Sequence, residues 1–330
     1  TDERKKHGWI KSDFGKTTII IDPDDKTLRE LLSQKEAIHV FSGIGSFELP
    51  AKAFKIAVKN KLKIGVILEP FNWIGWKGKL RFFKYFLLRL KYNQSIDFLL
   101  TIGNIGRWRY EKVGFSKIKI FDWGYFTETV DTKIIYNSSS IISLLFIGSL
   151  DYRKNILSLV DACLSISNDK PFILNIIGNG PLECELKDKI KNSNTINYLG
   201  TVPNTEIFPY ISQSDALILP SIFDGWGAVV NEALMCGTPV ITSNNCGASV
   251  LLDNKERGYV FSVKKNNLQE VIINFLKQLP YSIDEKQKIR NWALKAISGE
   301  VAAQYFIQIC EYLYEHKGNN PVAPWIKDKQ

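Results

Sequence analysis

The run Phe223-Asp224-Gly225-Trp226-Gly227-Ala228-Val229-Val230-Asn231-Glu232-Ala233-Leu234-Met235-Cys236-Gly237-Thr238-Pro239-Val240-Ile241 decides how this chain is read. It sets two carboxylates, Asp224 and Glu232, eight positions apart. Glycines at 225 and 227 follow the first acid, and a helical apolar pattern carries the second. A Gly-Thr-Pro exit then leads into a β-branched strand. Physically this is an acidic loop that opens a helix N-terminus, with a second acid on the helix itself. Such a terminus presents unpaired backbone N–H groups and attracts anions, phosphate above all. Gly225 and Gly227 let the backbone approach a ligand with no Cβ in the way. Glu232 can accept hydrogen bonds from hydroxyls beside that phosphate. The plainer reading is a strand-loop-helix-strand unit of an ordinary α/β protein, with Asp224 as a helix cap.

Outward from this run, strand-like and helix-like segments alternate. Strands are expected at Ala216–Leu219 before it and Val240–Thr242 after it. Earlier come a strand at Leu144–Ile147, a helix near Asn155–Ile166, a strand at Ile173–Ile177, a helix at Leu182–Lys191, a strand at Ile196–Leu199 and a helix at Thr205–Ser212. The first half repeats the pattern, with strands at Thr17–Ile21, Ile38–Phe41, Ile64–Leu68, Phe98–Ile102 and Ile118–Phe121. Its clearest helices are Phe47–Asn60 and Leu80–Tyr92. Alternation of this kind implies parallel sheets covered on both faces, hence an α/β class. The polar stretch Asn137-Ser138-Ser139-Ser140 is the expected domain boundary. The last 50 residues look helical, interrupted at Gly299.

The 330 residues suffice for two such domains, and 45% apolar with 23% charged residues is ordinary globular composition. No apolar run is long enough for a membrane-spanning helix. Cys163, Cys184, Cys236, Cys246 and Cys310 are scattered without a CxxC pair, which implies reduced thiols in a cytoplasmic protein. No metal-ligand spacing occurs among the three histidines. Charge is lopsided: residues 1–143 hold 25 Lys and Arg against 15 Asp and Glu, while residues 144–330 hold 18 against 19. Residues 51–100 alone hold 11 basic and 2 acidic residues, a field that suits an anionic partner.

The acid-x7-acid run resembles the signature of glycosyltransferase family 4, retaining nucleotide-sugar transferases of GT-B fold. Asp224 stands where that family usually has Glu, and the Glu-Ala-Leu-Met-Cys-Gly-Thr-Pro-Val-Ile tail fits closely. Gly148-Ser149-Leu150-Asp151-Tyr152-Arg153-Lys154 resembles the family's Gly-Arg-Leu…Lys loop, with Lys154 at the lysine and Ser149 in the arginine's place. Arg153 could restore that missing charge. Gly178-Asn179-Gly180-Pro181 resembles the family's Gly-x-Gly-Pro turn, and Thr201 and Val202 fall where the backbone reads the nucleotide base. The family's glutamate is absent from Cys246-Gly247-Ala248-Ser249.

The resemblance implies two Rossmann-like domains facing across a cleft: residues 1–140 on the acceptor side, 141–298 for the donor, and 299–330 as a helix and tail returning to the first, in which Val301–His316 would cross back. The start at Thr1, without the buried strand and glycine loop usual in the family, implies a truncated first domain. Asp224, Glu232 and Lys154 are then the expected catalytic residues. Gly148, Ser149, Arg153, Gly178, Gly180, Thr201, Val202, Gly225, Trp226, Gly227, Ala228 and Val229 would line the donor. His39, Gly43 and Glu69 are acceptor-side candidates, although a core role for His39 is the stronger alternative. Asp22-Pro23-Asp24-Asp25 contains the Asp-x-Asp that binds metal in GT-A transferases, but it reads better as a turn and helix cap.

The implied activity is a metal-independent, hexosyltransferase-type transfer from a nucleoside-diphosphate sugar to a saccharide or lipid-linked acceptor, with no cofactor. Capsule or lipopolysaccharide synthesis in a bacterium is the expected setting. Two alternatives stay open, a non-catalytic nucleotide-sugar-binding partner and a nucleotide-sugar epimerase of the same fold. Residues 73–92 mix basic and aromatic side chains, as an interfacial helix on anionic lipid would, at the inner face of the cell membrane. A core helix with one solvated basic stripe is the equal alternative, and nucleic acid is not expected because no binding motif accompanies the charge.

Overall fold

The computed structural model describes residues 16–45, 47–73, 75–129, 134–135, 139–166, 171–252 and 255–329. They form two compact units, one chiefly of Tyr125–Gln304 and one of Ser12–Gly124 with Tyr305–Lys327. Asn137 and Ser138 of the expected boundary, and the opening residues, lie outside the described residues.

In the unit that begins the chain, helix α1 (Asp25–Leu31) is started by Asp24, whose carboxylate accepts from the Thr27 amide at 2.7 Å. The Asp-rich turn is thus a helix cap, as its proline suggested. Next come β1 (Ile38–Ser42), α2 (Glu48–Lys59), β2 (Lys63–Leu68), α3 (Gly75–Tyr92), β3 (Phe98–Ile102), α4 (Gly103–Val113) and β4 (Ile120–Trp123). The strands lie side by side in chain order and all pair in parallel. Every residue of β3 is buried, which is why it reads as an apolar run interrupted only by Thr101. Thr17–Ile21, expected as a strand, is not one: Ile19, Ile20 and Ile21 are exposed, and the run pairs with no strand among the described residues. β-branched residues favour a sheet only where a neighbouring strand packs against them. The run at Ile118 also starts late, because Lys117–Lys119 forms a 3₁₀ turn before β4. The tail joins this unit through Tyr305 stacked on Trp123 at 5.6 Å and through the Tyr314 hydroxyl, which donates to Asp97 at 3.1 Å.

The other unit runs β5 (Ile142–Ile147), α5 (Ile156–Leu164), β6 (Phe172–Ile177), α6 (Glu183–Ile190), β7 (Ile196–Gly200), α7 (Ile207–Gln213), β8 (Ala216–Leu219), α8 (Ala228–Met235), β9 (Val240–Ser243) and β10 (Gly258–Phe261). Helices α9 (Leu268–Leu276), α10 (Ile283–Ala296) and α11 (Gly299–Cys310) follow. Gly299 opens α11, and the break falls at Ile297 and Ser298. All six strands are parallel, in the order β10-β9-β8-β5-β6-β7. Chain direction across the sheet therefore reverses between β5 and β8. Ligands of such sheets bind at the carboxyl ends of the strands flanking that reversal.

Candidate functional site

The loops that leave β5 and β8 meet at the reversal point. The β5 loop is shaped by Asp151, which accepts from the Lys154 amide at 2.7 Å and from the Ser149 hydroxyl at 2.8 Å. That fold-back ends at Asn155, held in the left-handed region (φ 60°) just before α5. Asn155 donates to the Pro220 carbonyl at 3.2 Å, and the Ile222 amide donates to the Arg153 carbonyl at 2.8 Å. The two loops are thereby stitched together.

This stitching brings charge together. The Lys154 ammonium donates to Asp224 Oδ2 at 2.6 Å, with 13% and 12% of the two side chains exposed. Arg153 reaches the same carboxylate oxygen at 3.6 Å and Asp151 at 3.8 Å. The sequence left open whether Arg153 could replace the arginine missing at Ser149. The geometry puts its guanidinium beside Lys154, while the Ser149 hydroxyl is used within its own loop. A lysine bonded to one carboxylate keeps two further N–H donors for a ligand.

Glu232 lies on α8 and is half-buried. Burial raises its carboxyl to about 7, and the nearby Lys154 charge opposes that rise. Among the described residues nothing hydrogen-bonds this carboxyl. It is therefore an acceptor without a donor, next to an ammonium. Helix α8 starts at Gly227, whose backbone (φ 93°) only glycine adopts easily, and no side chain caps it. A Cβ at Gly227 would lie 2.7 Å from the Cys246 sulfur and 2.8 Å from a Leu219 methyl. The uncapped N–H groups of Ala228 and Val229 thus stand at the loop end with the partial positive charge of a helix terminus.

The other expected donor residues divide by role. A Cβ at Gly178 would meet the Gly148 carbonyl at 1.9 Å, so these two glycines let the β5 and β6 loops touch. Gly180 serves the same purpose against the Leu150 carbonyl. Thr201 is exposed and Val202 half-buried at the end of β7, the sheet's edge strand. Gly225 is half-buried, and its carbonyl lies against Gly247. Trp226 is only 1% exposed: its indole donates to Asn231 at 2.8 Å, which donates in turn to the Tyr125 carbonyl at 2.6 Å. Its side chain faces the interior and leaves only backbone at the loop. This Trp226–Asn231–Tyr125 chain and the Asp151 fold-back were not read from sequence. Asn231 lies between the two acids and could have been suspected as a polar residue in an apolar helix. The acceptor-side candidates sit in the other unit. The His39 ring is bound locally to the Gln34 carbonyl at 3.1 Å, near the start of β1. Gly43 (φ 85°) turns the chain after β1, and exposed Glu69 follows β2.

Residues 137–292 match the family model described as glycosyl transferases group 1. An uncharacterized 41.2 kDa protein in the cps region of Klebsiella pneumoniae is 23% identical over 86% of this chain and 80% of its own length. The amylovoran biosynthesis glycosyltransferase AmsK of Erwinia amylovora is 24% identical over 50% of this chain and 43% of its length. Among solved structures, Anabaena HepE in complex with UDP superposes with a TM-score of 0.69 and 13% identity, over 87% of this chain and 82% of that one. That likeness shows the fold, GT-B, as the resemblance implied.

Proposed function

We propose that this chain, a group 1 glycosyltransferase by its second half, moves a sugar from a nucleoside-diphosphate sugar to a saccharide or lipid-linked acceptor of a bacterial surface polysaccharide. One observation carries the reading: Lys154, Arg153, Asp224 and the uncapped start of α8 converge at the reversal point of a doubly wound sheet. Lys154, Arg153 and the Ala228 and Val229 amides would stabilise negative charge that grows on the departing diphosphate. That positive array would take the place of the metal ion of other transferases, and transfer would then need no metal. Asp224 would hold donor-sugar hydroxyls as the anomeric carbon gains positive character. Glu232, an acceptor lacking a donor, would take ribose hydroxyls. The resemblance to family 4 supports transfer with retention of anomeric configuration. The cps-region relative and the amylovoran transferase support a surface polysaccharide as product. The acceptor would meet the basic unit that begins the chain.

The test is incubation with a panel of nucleotide sugars and a saccharide primer, with nucleotide release and the new anomeric bond followed by NMR. Nucleotide release with a retained anomeric centre is expected. Binding without turnover would make the chain a non-catalytic partner, and sugar isomerisation without transfer would make it an epimerase.

A further inference from the structure

Helix α3 carries two distinct apolar faces. Gly78 and Tyr92 are buried, and Phe82, Tyr85 and Phe86 pack on the core of their unit. Gly78 has no room for a Cβ, because the Trp73 carbonyl would lie 1.9 Å away, so the start of the helix is pressed onto the chain before it. Another set of residues faces out: Trp76, Leu80, Phe83, Leu87 and Leu90 are 68, 58, 58, 48 and 59% exposed. Their spacing alternates four and three, which places them in one stripe along the helix. Scattered exposed apolar residues are normal, but a contiguous line of them marks an interaction surface. From sequence, residues 73–92 suit an interfacial helix and a core helix with one solvated basic stripe equally well. The structure packs half-buried Phe82 and Phe86 against the core and leaves Phe83 in the exposed stripe.

Charge identifies the occupant. The helix holds six basic residues and no acidic one. At about 100° per residue, Lys79 borders one side of the stripe, and Lys84 and Lys91 border the other. A second copy of this helix would set lysines against lysines, with no carboxylate on either helix to pair them. An anionic bilayer accepts both parts, because the apolar stripe enters the acyl boundary while lysine stems reach out to lipid phosphates. Trp76, at the end of the stripe, is the residue type that favours the headgroup level. We propose that α3 docks on an anionic lipid surface, with Trp76, Leu80, Phe83, Leu87 and Leu90 as the inserting face. This goes beyond the donor chemistry and stands independently of it.

The test is co-sedimentation of the full chain with vesicles of phosphatidylcholine alone and of phosphatidylcholine mixed with phosphatidylglycerol. Binding to the anionic vesicles only, weakened by added salt, is expected. The pair Phe83→Ser with Leu87→Ser should lower that binding by roughly tenfold per side chain. The pair Lys79→Gln with Lys84→Gln should lower it by about fivefold per charge at low salt. Near-UV circular dichroism checks the fold, and Leu80→Ser alone repeats the apolar test if the first pair unfolds. Equal binding to both vesicle types, no binding, or binding unchanged by the apolar variants overturns the proposal. So does lipid-free dimerisation in the ultracentrifuge that Leu87→Glu abolishes, since the stripe would then belong to a second copy.

Discussion

The two units are built from the same alternation, yet their strand-end loops are put to different use. In the Tyr125–Gln304 unit, glycine at 227 is wedged against Cys246 and Leu219, and the loops bury Asp224 and Lys154 in contact. In the other unit, Gly45 has a similar backbone (φ 81°) with nothing within 4 Å of a Cβ, and the His39 ring serves a nearby carbonyl. Positive-φ glycine therefore does not by itself mark a site. What sets Gly227 apart is that its missing Cβ lets the loop close on Cys246 and Leu219, three residues after the carboxylate that meets Lys154.

The largest effect should follow from removing the ammonium at this contact. Lys154→Ala should cut turnover on the order of 10²–10³-fold, with a smaller change in KM, if its bond strengthens as the leaving group gains charge. It also leaves Asp224 with Arg153 alone, 3.6 Å away. The corresponding change in the other unit, His39→Ala, removes one local hydrogen bond and should leave turnover unchanged. Steady-state kinetics on both variants would blur the contrast if the two losses proved equal.

Next is the glycine pair. Gly227→Ala must accommodate both an unfavourable φ and contacts under 3 Å, and should cost about 2–4 kcal/mol of stability. Gly45→Ala meets only the backbone term and should cost about 1–2 kcal/mol. Urea unfolding of both variants measures the difference, and equal costs would mean that the Gly227 contacts relax freely.

The smallest effect is on pH dependence. The Glu232 carboxyl titrates near 7 in the folded chain against an ordinary 4.5, so the folded state holds a proton there that the unfolded state gives up. Its contribution is fully present below pH 4.5 and is lost as pH rises through 7. Glu232→Gln should therefore be more stable than the parent above pH 7, by ~1–2 kcal/mol. Thermal melts at pH 5 and pH 8 read this out, and a parent that gains stability relative to the variant between them contradicts it.

Much of this was legible in the chain. β3 and β8 were read with their observed ends, because fully buried parallel strands appear as bounded apolar runs. The acid spacing and the lysine at 154 pointed to one place because short loops between regular elements fix their position. Other features depended on partners distant in sequence. Strand β10 and helix α4 are not marked by composition, and Thr17–Ile21 has strand composition without a strand to pair with. Trp226 was expected at the ligand, but a tryptophan in a glycine loop reads the same whether it faces out or donates inward to Asn231. Helical period alone likewise cannot tell which apolar stripe of α3 meets the core.

The central claim, that the β5 and β8 loops form a nucleotide site, is tested most directly by calorimetric titration of UDP into the parent, Lys154→Ala, Glu232→Gln and His39→Ala proteins. A charge-assisted hydrogen bond contributes ~1.5–3 kcal/mol, so the first two variants should each lose roughly tenfold or more in affinity. His39→Ala should bind as the parent does. Undiminished UDP affinity in both Lys154→Ala and Glu232→Gln would contradict the account.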